Sequence, residues 1–176
     1  MTRAAFEALP EEQRARCEVV FGDFCYGFHR LVPGPARYVV TLRHPIGRII
    51  SMYQAAGMPG PSIESWVFDD ERREADNHMV RKISGWKDVP FGGCTQGMLD
   101  EAIANIEADF EAVLIRGSAA RSGVLLGKAL GVTLPPIEVI TADPDDEYDP
   151  PKEMRKRLRQ LNKLDVALFK RSSEAL

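Results

Sequence analysis

The chain has 176 residues, of which 44% are hydrophobic and 28% charged, and its formal net charge is -3. This length fits a single domain, residues 1–176, and the charge balance excludes a nucleic-acid binder that works by bulk positive charge. Because there is no run of about 18 apolar residues, we expect no membrane span, and three widely spaced cysteines without a CxxC pair predict reduced thiols in a cytoplasmic protein with no bound metal.

Short elements are predicted in the amino-terminal part of the chain. Residues 3–16 alternate small apolar and charged side chains, which indicates one or two short helices interrupted near Pro10. The stretch CEVVFGDF, residues 17–24, has the composition of a short strand. The sequence PGP at 33–35 marks a turn before the next element.

A buried strand followed at once by a helix is the clearest structural signal. YVVTL, residues 38–42, is apolar and β-branched on both faces, which is the pattern of a strand covered on two sides in a parallel sheet. From Pro45 to about Ala56, isoleucines and a tyrosine recur at helical spacing, and the glycine- and proline-rich stretch that begins at Gly57 ends this helix.

Helices and a second strand alternate over the rest of the chain. Residues 62–97 are the least regular part, and they are followed by an amphipathic helix at 98–110 and a buried strand in EAVLIRG, residues 111–117. A further helix has Ser118 as its candidate N-cap, and a proline- and acid-rich connector then leads to a basic helix that begins at Lys152. The apolar seam of this last helix runs through Leu158, Leu161, Val166 and Phe169. The alternation predicts a three-layer α/β fold around a mostly parallel sheet.

The corner between the first buried strand and its helix is suited to an anion. A helix start has N–H groups without intrahelical partners and the positive end of the helix dipole, and open α/β sheets bind ligands beyond the carboxyl ends of their strands. Pro45 fits the first helical position, and Arg43 offers a planar fork of donors to phosphate. Arg48 and Ser51 share one helix face. The corner is predicted to bind phosphate; the alternative is a pair of solvated arginines at a helix start.

The stretch TLRHPIGRIISMY, residues 41–53, resembles the 3′-phosphate-binding motif R-x-P-x-x-R-x-x-S-x-Y of sulfotransferases that use 3′-phosphoadenosine 5′-phosphosulfate. The segments VVFGDFCYGFHRLVPGPARY, NHMVRKISG, LDEAIANIEADFEAVLI and NKLDVALF are similar, in order, to segments of the branch that contains heparan-sulfate 2-O-type and related bacterial enzymes. The resemblance covers nearly the whole chain from about residue 18. It implies a P-loop-NTPase-like form of the α/β fold and transfer of sulfate to a hydroxyl group, with a carbohydrate as the expected acceptor.

The resemblance assigns the cofactor contacts to the corner. Arg43 and Ser51 would bind the 3′-phosphate of 3′-phosphoadenosine 5′-phosphosulfate. Arg48 belongs to the motif and either contacts the cofactor or pairs with a carboxylate that braces the corner. His44 stands where the motif usually has Asp, which we interpret as a change tolerated at the surface.

Two departures from the family pattern leave the activity open. The chain contains no H-x-P-K-T-x-G-T-S, the N-terminal strand–loop–helix that clamps the 5′-phosphosulfate, so we expect either a fragment or a protein that has lost half of its cofactor site. The glycine-rich FGGCTQG, residues 91–97, has no lysine and is expected to be a plain loop. Asp23 stands where the branch has its proposed general base, a histidine. A carboxylate with an ordinary pKa near ~4 is a weaker base than an imidazole near ~6.5.

Other candidate site residues have alternative interpretations. Asp23 either accepts the proton of the acceptor hydroxyl or caps a strand end, and His29 is either a substitute base or a loop residue. Asn77 and Arg81 lie one helical turn apart and either line the acceptor cleft or form an ordinary polar face. His78 is expected at the surface.

Two functions follow from these patterns. The first is a sulfotransferase that acts on a carbohydrate hydroxyl. The second is a catalytically inactive remnant that binds a nucleotide or a glycan without transfer. The basic run KEMRKRLRQLNK either forms a solvated helix face or contacts an acidic glycan. A sheet without its N-terminal strand would have an open edge, which predicts either a homodimer or an unstable chain.

Overall fold

A computed structural model describes residues 2–117, 119–133 and 148–174 of the chain. Its helices and strands are, in chain order, α1 (Arg3–Glu7), α2 (Glu11–Ala15), β1 (Tyr38–Leu42), α3 (Pro45–Ala55), α4 (His78–Ser84), α5 (Gln96–Asp109), β2 (Phe110–Ile115), α6 (Ala119–Leu130), α7 (Lys152–Leu161) and α8 (Lys163–Glu174). Short 3₁₀ segments lie at Phe28–Leu31 and Arg73–Ala75, and a π-helical turn lies at Ser65–Asp69. No helix in these ranges is both long and apolar enough to cross a membrane.

The two strands pair in parallel, with Val39 opposite Ala112 and Leu42 opposite Ile115. The chain between them contains α3, α4 and α5, and parallel strands require a long connection of this kind. The mixed α/β class predicted from the alternation of elements is therefore confirmed. The predicted N-cap Ser118 and most of the acid- and proline-rich connector lie outside the described residues.

The two faces of β1 are covered unequally. Val40 and Leu42 belong to a core shared with Ile115 and with side chains of α4, α5 and α8. On the opposite face Val39 is 39% exposed, and Thr41 is also exposed. The prediction of a strand buried on both sides is wrong, because its second face borders a cavity rather than packed side chains.

Residues 17–24 form no strand, contrary to the prediction from their composition. Val19 and Phe21 are 51% and 78% exposed, so their apolar side chains are not buried against a sheet. The end of the segment is attached to α4 instead, because the N–H of Tyr26 donates to the carbonyl of Lys82 at 2.7 Å. The segment thus runs along the open side of β1 without pairing with it.

The basic carboxyl-terminal helix is two helices, α7 and α8, which meet at Asn162. The Asn162 side chain is buried and donates to the carbonyls of Ala75 and Leu158. The predicted apolar seam is correct at Leu158, which is buried, and at Leu161 and Phe169, which pack against the hydrophobic core, but the break changes the helical phase and the seam misses two side chains that α8 buries. These are Leu164 and Leu168.

Candidate functional site

A cavity of about 800 Å³ extends from residues 17–24 along β1 to the start of α3. Its lining includes a group of five ionisable side chains that we call the charged cluster, namely Asp23, Arg43, Arg48, His78 and Lys82. Arg48 lies within electrostatic range of the other cluster members Asp23, Arg43 and His78. The cluster therefore combines the predicted phosphate corner with two side chains of α4.

The β1–α3 corner forms because a buried strand ends at Leu42 and a helix begins at Pro45 with proline in its first turn. The N-cap residue His44 gives no side-chain cap to α3. The N–H of Arg48 donates to the carbonyl of His44 at 3.0 Å, which leaves the N–H groups of Ile46 and Gly47 without an intrahelical acceptor. The corner therefore offers main-chain donors and the positive end of the α3 dipole beside Arg43.

Arg48 braces the corner through the main chain. Its Nη1 donates to the carbonyl of Glu74 at 2.6 Å, and its Nη2 lies 4.0 Å from the Met52 sulfur. Burial lowers the pKa of Arg48, and the negative charges of Asp165 and Asp23 partly offset this effect. Arg48 was predicted either to contact the cofactor or to pair with a carboxylate that braces the corner. In the structure it braces the corner through the Glu74 carbonyl and not through a carboxylate, and its guanidinium also lines the cavity.

Ser51 is half-buried and does not line the cavity. It stands six residues after Pro45, which places it about 9 Å further along the axis of α3. The structure therefore brings Arg43 and Arg48 into one cavity and leaves Ser51 beside it.

The carboxylate of Asp23 is held by Lys82, whose Nζ lies 2.9 Å from Asp23 Oδ2 and 3.3 Å from the Asp23 carbonyl. Burial opposes ionisation, but the hydrogen bond and charge of Lys82, with the charge of Arg48, hold the pKa of Asp23 below its ordinary value. A carboxylate with a lowered pKa is a weaker base, so this arrangement disfavours Asp23 as the general base. It also caps no strand, because none ends there.

His29 lines the same cavity at the other end of β1. Its Nδ1 lies 2.8 Å from the hydroxyl of Tyr38, which also accepts the His29 N–H at 2.9 Å. Tyr38 is the first residue of β1, and Arg43 directly follows the last one. A strand of five residues spans roughly 16 Å, which separates His29 from Arg43 by about the length of β1. The structure does not bring His29 to the phosphate corner.

His78 is not a surface residue, contrary to the prediction from sequence. It is the first residue of α4, is half-buried and lines the cavity. Burial, together with the charges of Arg48 and Lys82, lowers the pKa of His78 to about 3. Its imidazole is therefore neutral near pH 7 and carries one N–H donor.

Asn77 and Arg81 do not line a cleft, and the two predicted interpretations, acceptor contacts and an ordinary polar face, are both wrong. Each side chain is only 4% exposed. Arg81 forms a buried ion pair with Asp76 and donates to the carbonyls of Val89 and Pro90. A side chain that is enclosed and fully engaged in this way has no surface to offer an acceptor.

Asn77 instead takes part in reciprocal capping between α4 and α8. The N–H groups of Leu164 and Asp165 donate to Asn77 Oδ1 at 3.0 and 3.1 Å. In return the Asp165 carboxylate accepts the N–H groups of Met79 and Val80 at 3.0 and 2.8 Å. These bonds position the start of α4, and with it His78, relative to the cavity.

The structural role of Asp165, Asn162 and Asp76 was missed from sequence. Asn77 adopts a left-handed conformation with a φ of 45°, which asparagine tolerates better than most residues. An asparagine directly before an apolar helix is the one local signal of a helix start at this point. No sequence signal joins it to partners that lie 85 to 88 residues away.

No protein-family model, curated protein or solved structure matches the chain.

Proposed function

We propose that this chain is a sulfotransferase-type domain whose β1–α3 corner binds the 3′-phosphate of 3′-phosphoadenosine 5′-phosphosulfate. The observation that carries the proposal is that Arg43 and Arg48, in the motif order of residues 41–53, line one cavity at the start of α3. A P-loop-NTPase-like arrangement in three layers is the form of the α/β fold that goes with this proposal.

The residues present fit a phosphate group. A phosphate oxyanion needs several donors and a positive field: Arg43 lines the cavity, and the N–H groups of Ile46 and Gly47 and the positive end of the α3 dipole lie within four residues of it along the chain. Arg48 adds a second positive charge within the same cavity. The fit concerns one half of the cofactor, since the chain contains no H-x-P-K-T-x-G-T-S segment for the 5′-phosphosulfate.

Two activities are compatible with such a corner. The first is sulfate transfer to a carbohydrate hydroxyl, which requires a base near the acceptor and donors that stabilise the leaving phosphate. The second is nucleotide or glycan binding without transfer. The ion pair between Asp23 and Lys82 favours the second for this chain, because it engages the carboxylate that stands at the position of the family's base.

Thermal unfolding with nucleotides tests the proposal. Adenosine 3′,5′-bisphosphate should raise the melting temperature, since a ligand at 100 times its dissociation constant adds about 2.7 kcal/mol to the free energy of unfolding. AMP, which has no 3′-phosphate, should raise it far less. Arg43→Ala should weaken bisphosphate binding about 10- to 150-fold, because one hydrogen bond to a charged group contributes about 1.5–3 kcal/mol.

Arg37→Ala is the matched control. Arg37 lines the same cavity before the start of β1 and donates to the Ala108 carbonyl at 2.9 Å. This variant should keep the bisphosphate-dependent shift even if its own melting temperature falls. Equal shifts with AMP and the bisphosphate, or a bisphosphate shift that survives Arg43→Ala, would exclude 3′-phosphate recognition at the corner.

The 176-residue chain is expected to transfer no sulfate from 3′-phosphoadenosine 5′-phosphosulfate to glycans or small alcohols. The reason is that its residues include no lysine-containing loop for the leaving phosphate, and its candidate base Asp23 is paired with Lys82. Incorporation of labelled sulfate into an acceptor, measured against a reaction without protein, checks this. Incorporation above that background would select the first activity.

A further inference from the structure

Asp23 lies in the cavity with polar side chains of α3 and α4. His78 and Lys82 stand four residues apart on α4, which places them on one face of that helix, and both line the cavity. Arg48 approaches from α3. The carboxylate of Asp23 forms a hydrogen bond with Lys82 and is attracted by the charge of Arg48.

We propose that Lys82, with Arg48 and His78 in the same cavity, forms a second anion subsite, in which the Asp23 carboxylate pairs with Lys82 in the free chain and from which a phosphate or sulfate group displaces it. The inference rests on the proposed function, because the subsite lies in the same cavity as Arg43. The two sites together would select a ligand pair or a single ligand with two oxyanion groups.

Asp23 has the properties of a displaceable occupant. Its side chain is 80% exposed, while that of Lys82 is 24% exposed, so the carboxylate covers a cation that is itself partly enclosed. Asp23 follows Gly22 in a segment without helix or strand, where little regular structure holds it. Exposed ion pairs contribute only about 0.2–1 kcal/mol, and an oxyanion with two charges competes well with such a pair.

Two cations, Lys82 and Arg48, and one neutral donor, His78, also match the chemistry of an oxyanion. Lys82 provides a point charge with three donors, and Arg48 adds a second positive charge in the same cavity. The lowered pKa of His78 leaves a neutral imidazole, which can donate one hydrogen bond to an anion without adding a charge. Asp23 is the carboxylate that the cluster itself contains, and its departure would leave these donors available to the ligand.

The test uses the variants Asp23→Asn and Lys82→Gln. Their affinities are measured by calorimetry for three probes, which are inorganic sulfate, adenosine 3′-monophosphate and adenosine 3′,5′-bisphosphate. Asp23→Asn removes the competing charge at an exposed position and should tighten oxyanion binding about two- to fivefold. Adding Lys82→Gln to Asp23→Asn should weaken it by about tenfold or more, because a charge-assisted bond is lost. Arg73 is an exposed charge outside the cavity, and Arg73→Gln should leave the affinities for all three probes unchanged.

The probes distinguish the two sources of the oxyanion. If the subsite takes the 5′-phosphate of the nucleotide, Asp23→Asn raises the affinity ratio of the bisphosphate to the 3′-monophosphate. If it takes a separate anion, that ratio stays constant, and sulfate binds more tightly to Asp23→Asn whether or not the monophosphate is present. Unchanged affinities for all three probes in Asp23→Asn would overturn the proposal. Arg43→Ala tests the phosphate corner independently, so either site can fail while the other stands.

Discussion

Replacement of Arg81 by methionine is expected to lower the free energy of unfolding by about 3–5 kcal/mol, because it leaves the buried carboxylate of Asp76 without its cation. Arg81 also donates to the carbonyl of Asp76 at 2.7 Å and to the carbonyl of Pro90 at 2.8 Å, and these acceptors would lose their partner. Asp76 would keep the side chain of Asn77 and the N–H of Gly92, each at 2.8 Å, and a long contact of 4.0 Å from the Cys94 sulfur. Urea-induced unfolding measures the change.

Lys82→Met on the next residue of α4 is the matched control. Lys82 pairs with an exposed carboxylate, and a pair of this kind contributes about 0.2–1 kcal/mol. The same substitution at neighbouring positions should therefore have very different costs. Similar losses of stability in the two variants would show that the Asp76–Arg81 pair is not the element that holds this part of the fold.

The buried polar network has a consequence for the cavity. Arg81 and Asp76 anchor the loop around Val89 to α4, and Asn77 and Asp165 join the starts of α4 and α8. His78 follows Asn77 directly, and Lys82 follows Arg81. His78 and Lys82 are thus each next to a residue fixed in the interior, which holds both polar side chains at the cavity.

Much of the regular structure could be predicted because it depends on local patterns. YVVTL is rich in aromatic and β-branched residues, which favour strands, and it forms β1 at Tyr38–Leu42, and Pro45 begins α3 because proline fits the first turn. Residues 17–24 have a similar apolar content, but a strand also needs a neighbouring strand to pair with, and that requirement is not visible in local composition. The break at Asn162 was missed because its cause is a contact with Ala75.

The part of the site that lies within the single segment from β1 into α3 could be predicted from the sequence. Arg43 and Arg48 lie seven positions or fewer from the end of β1, so strand-to-helix geometry alone brings them together. Asn77 and Arg81 share the same helical spacing as any surface pair, and only the three-dimensional packing shows that they are buried. His78 and Lys82 enter the cavity through the packing of α4 against other elements. Contacts over such distances along the chain cannot be inferred from spacing.

In the wild type, the contribution of Asp165 to the free energy of unfolding is expected to fall by about 2–3 kcal/mol between about pH 4 and pH 7, and the Asp165→Asn variant should lack this pH dependence. Burial raises the pKa of Asp165 from 3.8 to about 6, although the N–H groups of Met79 and Val80 and the charge of Arg48 act in the opposite direction. The folded chain therefore binds this proton more tightly than the unfolded chain. The contribution to stability is present below about pH 4 and is lost as the pH rises through about 6.

The free energy of unfolding of Asp165→Asn has to be subtracted from that of the wild type at each pH, because His78 changes the stability of both proteins with pH in the opposite direction. Its lowered pKa makes its contribution fall as the pH drops below its ordinary value of 6.5, so the wild-type curve contains both effects. Subtracting the Asp165→Asn curve removes the term from His78, and Asp69→Asn, at an exposed carboxylate, serves as the control for the substitution itself. The wild type should exceed Asp165→Asn in stability by more at about pH 4 than at pH 7. A difference that is constant over this range would mean that Asp165 binds its proton equally well in the folded and unfolded chains.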